Sequence, residues 1–202
     1  KDVLKSVLRQ SVQGLEHRMH SLRRKSSLLG WKQWLTDYEG RILDVELTQR
    51  MARLLPVSAL TVAIDTQGVH VHASLDSGEI MDMSLVPEKV RFATGGAKEV
   101  EVRLEPAQLA SHPLARTVVG AFASIVAHRM WRVVLPALEP PELAVVDQDS
   151  NIFRIDLRSV PAVRQVLHRQ WACMITDLLS LQRLELEPGQ LRLVFASFMP
   201  ER

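Results

Sequence analysis

Eleven consecutive residues without a charge, Thr117 to Ala127, limit most strongly what this chain can become. They sit inside the stretch PLARTVVGAFASIVAHRMWRVVL, from Pro113 to Leu135. At helical spacing such a run has no polar face, so a helix made from it must be enclosed on nearly every side. A bilayer cannot be the enclosure, because a spanning helix needs about 20 apolar residues. Arg116 closes the run on one side, and His128, Arg129 and Arg132 close it on the other. Gly120, Ala121, Ala123, Ser124 and Ala127 keep the helix slim, which leaves room for a sheet backbone to approach and curl around it. The stretch therefore reads as the core helix of an α+β domain. Its larger side chains, Val118, Phe122, Ile125 and Val126, are the candidates to line an apolar core or cavity.

The rest of the chain divides by charge. Residues 1–36 hold eight Lys/Arg against Asp2 and Glu16, a net of +6, while residues 37–202 carry a net of −4. A basic arm on an acidic body, residues 37–202, points to an anionic partner for the arm. Within the arm Leu8, Val12, Leu15, Met19 and Leu22 form a seam with alternating steps of four and three, as on an amphipathic helix. Arg18, Arg23, Arg24, Lys25 and Lys32 stand around it, and Trp31 and Trp34 lie three apart, close to one helical face. Two readings follow. The seam packs on the body or on a second copy, or it lies in a membrane interface with Trp at headgroup level and Lys/Arg on the phosphates. Because the chain begins at Lys1, a targeting segment or anchor ahead of it is left open.

From Arg41 the period changes to two. Ile42 to Leu47 reads as a strand, and Thr48 as the N-cap of a short helix ending before Pro56. Leu60–Ile64 and Val69–Ala73 form a hairpin across Asp65-Thr66-Gln67-Gly68, and strands are expected at Glu79–Leu85, Lys89–Ala93 and Val100–Leu104. A Gly95-Gly96 turn separates the last two. Beyond the core helix, Leu143–Val146 and Ile152–Leu157 make a second hairpin. A second long helix runs from Pro161 to about Leu181, with Met174 and Leu178 on its inner side as further cavity candidates. A closing hairpin then turns at Glu187-Pro188-Gly189-Gln190. Strand–helix–hairpin thus recurs three times, which predicts one long curved antiparallel sheet packed around two long helices.

Reaction chemistry is sparse. There is no nucleophile elbow, no phosphate-cradling glycine loop and no His-Glu-x-x-His. His70 and His72 point to one strand face as zinc ligands can, but no third ligand can be assigned by spacing, so an exposed strand face is the reading. His112, His128 and His168 receive no role, and Cys173 reads as an inert core thiol. No catalytic residue, metal or cofactor is expected. With 5% aromatic residues and an acidic body, nucleic acid is disfavoured as a partner.

The order of helix, LTVAIDTQGVHVHA and the closing LLSLQRLELEPGQLRLVFASF resembles the bacterial tubular lipid-binding proteins over about residues 41–198. In that family a strongly curved sheet wraps a long apolar helix and leaves a tunnel for acyl chains. The resemblance implies a non-enzymatic, membrane-peripheral lipid-binding or lipid-transfer domain of the bacterial envelope. The basic arm and the scarcity of large aromatics depart from the family pattern, so no site residue carries over from it. The alternative is an assembly module that oligomerises through residues 1–36.

Overall fold

The computed structural model describes residues 40–92, 97–133, 135, 138–167 and 181–195. Along the chain these form β1 (Arg41–Leu43), α1 (Asp44–Leu54), β2 (Ala59–Ile64), β3 (Val69–Ser74), β4 (Ile80–Phe92) and β5 (Lys98–Glu105). A 3-10 turn (Ala107–Ser111), α2 (Pro113–Trp131), β6 (Asp147–Asp149) and β7 (Ile152–Asp156) come next, then α3 (Pro161–Leu167), β8 (Leu181–Glu187) and β9 (Gln190–Phe195). The protein is α+β with antiparallel sheets, and strand–helix–hairpin does recur three times in this order.

The single wrapped sheet does not form. There are two sheets, one ordered β2-β3-β4-β5-β7-β6 and the other β1-β9-β8. Nor are there two long helices among the described residues, where only α2, at 19 residues, is long. The closing hairpin cannot extend the large sheet at β2 because that edge is already occupied. Thr48, from α1, accepts the Val62 N–H at 3.0 Å and donates to the Val62 carbonyl at 3.4 Å. The Gly189 N–H then takes the Ile64 carbonyl at 2.8 Å. With Val62 and the Ile64 carbonyl engaged in this way, β9 pairs instead with β1, Arg41 opposite Arg192.

Thr48 is therefore an edge guard rather than a cap. Residues 44–47 are helix where a strand was expected. Leu47 and Met51, four apart, are both fully buried, whereas Val45 is 62% exposed. A short alternating run fits either period, and here the i, i+4 pair wins because it meets the core. Asp44 and Glu46 in the first turn favour the helix electrostatically.

β4 is one strand of 13 residues rather than two, with a register shift between Pro87 and Lys89. β3 pairs with it only as far as Leu85, so Pro87 removes no ladder bond on that side. The stretch Leu143–Val146 is not a strand either. It is an extended strap across α2, and the hairpin strand starts at Asp147.

α2 is enclosed as its composition requires, with 15 of its 19 residues buried. Pro113 occupies its first turn, and the His112 ring caps it by accepting the Leu114 N–H at 3.1 Å. One side meets the inner face of the large sheet, where Val62, Val71, Met83, Leu104, Val102 and Phe153 share its apolar core. The slim side meets the strap instead of a sheet. Ala144 donates to the Gly120 carbonyl at 3.4 Å, and the Ser124 hydroxyl donates to the Glu142 carbonyl. At the far end Trp131 is fully buried and donates its indole N–H to the Leu157 carbonyl at 2.8 Å.

Candidate functional site

The expected cavity residues of α2 lie deep in the core. Val118 and Ile125 are 0% exposed, Phe122 and Val126 1%. Met174 and Leu178 lie outside the described residues, as do Arg18, Arg23, Arg24, Lys25, Trp31, Lys32 and Trp34 of the arm. The structure thus brings four of the six cavity candidates together. The two concavities described below are lined by other residues.

The larger concavity, about 730 Å³, lies on the outer face of the large sheet. The pleat puts His70 and His72 there, because their neighbours Val69, Val71 and Ala73 point into the core. His70 Nδ1 and Ser84 Oγ are 2.8 Å apart, and His70 Nε2 stands 3.0 Å from the Asp65 carboxylate without hydrogen-bond alignment. His72 Nδ1 and Asp82 Oδ1 are 2.6 Å apart. Asp65 is held below the usual carboxylate range, first by the Gln67 N–H and then by His70.

Hydroxyl, imidazole and carboxylate in a row resemble the order that a nucleophilic serine needs. Here, however, His70 faces Ser84, and His72 faces Asp82, because they are register partners on β3 and β4. The His70 side chain is 41% and that of Asp65 51% exposed, and the carboxylate is off the N–H axis. The geometry is that of a solvated cross-strand ladder. No group of three potential metal ligands comes together among the described residues.

The smaller concavity, about 330 Å³, follows the seam where β8 passes the bulged half of β4, between Pro87–Arg91 and Gln182–Leu184. Beside it Glu101, 5% exposed by its side chain, is ringed by Arg91 at 3.0 Å, Arg154 at 3.5 Å and Lys89 at 3.6 Å. Buried carboxylates require such pairing, and the ring explains how this one is tolerated on a strand.

A third cluster was not anticipated from the sequence. The C-terminal halves of α1 and α2 converge, bringing the charges of Arg53, Arg129 and Arg132 close to Arg50, with one carboxylate, Glu46, among them. Glu46 meets Arg50 at 2.9 Å and Arg129 through the same oxygen. His128, 6% exposed, approaches the Arg50 guanidinium at 3.4 Å. Burial, and after it the charges of Arg50, Arg132 and Arg129, lower the His128 pKa to about 4, so this imidazole stays neutral. Burial lowers the Arg50 pKa too, reinforced by Arg129, Arg132 and Arg53. The signal was present as Arg-x-x-Arg and Arg-x-x-Arg, at 50–53 and 129–132, each on one helical face. Nothing in the sequence indicates that the two faces meet.

Among known proteins the chain matches no family model, no curated protein and no solved structure. No helix among the described residues is long and apolar enough to cross a membrane.

Proposed function

We propose that this chain is a non-enzymatic, membrane-peripheral lipid-binding domain whose basic arm touches an anionic bilayer. The observation that carries the reading is charge segregation. A net of +6 in residues 1–36, with Trp31 and Trp34 beside the lysines and arginines, precedes a body of net −4. Cationic residues near an anionic leaflet contribute about 1 kcal/mol each, and tryptophan is favoured at headgroup depth. The apolar helix α2, enclosed in the α+β body, is compatible with acyl-chain binding.

Adding phosphatidylglycerol vesicles to the full chain should blue-shift tryptophan emission, and high salt should partly reverse the shift. The Trp31→Ala/Trp34→Ala variant should lose the response and keep its melting transition. Mass spectrometry of organic extracts of the purified protein should reveal co-purifying lipid. Emission that is blue before lipid and unmoved by vesicles, together with a clean extract, would refute the reading.

A second reading is favoured by one observation. Val118, Phe122, Ile125 and Val126 are covered to within 1%, as in a simply packed core. On that reading the chain is an assembly module that pairs with another subunit through residues 1–36. Dimeric elution that depends on the arm, with no lipid in the extract, is its expected signature.

A further inference from the structure

The convergence of α1 and α2 concentrates like charge on a body that is otherwise acidic. The Glu46 carboxylate is shared by two guanidiniums, of Arg50 and Arg129, and the charges of Arg53 and Arg132 also act on Arg50. Arg53 and Arg132 are exposed and make no ion pair among the described residues. Some of this charge has a structural use, since the C-termini of the two helices each present about half a negative charge that a nearby cation offsets. Subtracting Glu46 and both helix ends still leaves about two positive charges with no paired anion among the described residues.

His128 lies against the cluster, 3.4 Å from the Arg50 guanidinium, and is held neutral first by its burial and then by the charges of Arg50, Arg132 and Arg129. Repulsion among four arginines is relieved most directly by an external phosphate, whose oxygens accept the paired donors of a guanidinium. The cations stand on two helices and are not converged on an enclosed cavity, so the shape suits a plane of phosphates better than one captured ion.

We propose that Arg50, Arg53, Arg129 and Arg132 form a second membrane-docking surface, on the body itself, that faces the headgroup phosphates of an anionic bilayer. This rests on the membrane-peripheral reading and deepens it, because two contacts, arm and body, would fix how the domain sits on the lipid.

The test is vesicle co-sedimentation of the full chain, with phosphatidylcholine vesicles lacking or containing phosphatidylglycerol. Arg53→Gln/Arg132→Gln removes two exposed charges that make no ion pair among the described residues, so its melting temperature should match wild type. Its affinity for the anionic vesicles should fall about thirtyfold, and its salt dependence should flatten. Arg53→Lys/Arg132→Lys should retain most of the affinity, since a charged plane counts charge rather than guanidinium geometry. Wild-type-like binding by the Gln variant, with binding still sensitive to Trp31→Ala/Trp34→Ala, would overturn the patch and leave the arm reading standing. A wild-type chain that ignores anionic vesicles would overturn both. Release of the wild type by millimolar inorganic phosphate at constant ionic strength would also overturn the docking surface, in favour of a discrete phosphate site.

Discussion

Gly120→Ala is the substitution for which sequence rules and structure give opposite signs. In the interior of a helix, alanine is favoured over glycine by about 0.8–1.0 kcal/mol, so α2 considered alone should gain stability. A Cβ at position 120 would, however, lie 2.5 Å from the Ala144 carbonyl oxygen and 3.6 Å from its carbon. Carbon–oxygen contacts settle at about 3.3–3.6 Å, so strap and helix must part by close to 1 Å. The strap is anchored by backbone, with Ala144 N–H on Gly120 and the Glu142 carbonyl on Ser124, so no side-chain rotation relieves the contact. Overpacking of this kind costs about 1–3 kcal/mol, and loosening the two hydrogen bonds adds about 1 kcal/mol. Set against the propensity gain, the net is a loss of about 1–3 kcal/mol, or a fall in Tm of about 2–12 °C for a chain of this size. Thermal melting followed by circular dichroism, alongside urea titration, measures it. A Gly120→Ala protein melting at or above wild type would mean that the strap does not press on α2 at this position.

Three further outcomes follow from the same structure. Thr48→Val keeps the shape but leaves the Val62 N–H and carbonyl without their partner, so it should cost about 1–3 kcal/mol and raise self-association through β2, read by melting and light scattering. Ile125→Asp places a carboxylate at a position of 0% exposure and should abolish the cooperative transition; a soluble protein with near-wild-type Tm would show that α2 is not central. His128 has its folded pKa depressed from 6.5 to about 4, so the stability from keeping it neutral is present above pH 6.5 and is lost as pH falls toward 4. Urea midpoints of wild type and His128→Gln across that window should therefore diverge, the wild type losing about 1–3 kcal/mol more than the variant.

The core helix was legible because its requirement is local: a run with no polar face has only one way to be folded in water. The hairpins at Asp65–Gly68 and Glu187–Gln190 were legible for a similar reason, since turn chemistry acts within four residues. Legibility failed where the answer lay elsewhere in the chain. Whether residues 44–47 are strand or helix depends on Leu47 and Met51 finding the core together. Whether the closing hairpin joins the large sheet depends on what meets the edge of β2, here the Thr48 hydroxyl at Val62 and the Gly189 N–H at Ile64. The slim face of α2 was recognised as a place of close approach, but composition does not say that a strap rather than a sheet would come near. Of the candidate site, Val118, Phe122, Ile125 and Val126 were identifiable as interior, while the arginine cluster needed two helix faces to meet.

The pairing of β1 with β9 also sets an order of events during synthesis. β2 through β5 form successive hairpins that close over short loops, and the large sheet can begin as soon as they leave the ribosome. Arg41–Leu43, although made before all of them, has no strand partner among the described residues until Gln190–Phe195 emerges. Until then Ile42, fully buried in the finished fold, lacks the strand that helps to cover it, and the Ile64 carbonyl waits for Gly189. The last hairpin thus acts as a clasp, joining the first strand to the edge of a sheet already assembled. A nascent chain arrested before residue 190 should hold a formed large sheet and an open seam, and it is at that seam that a chaperone or a protease would find it.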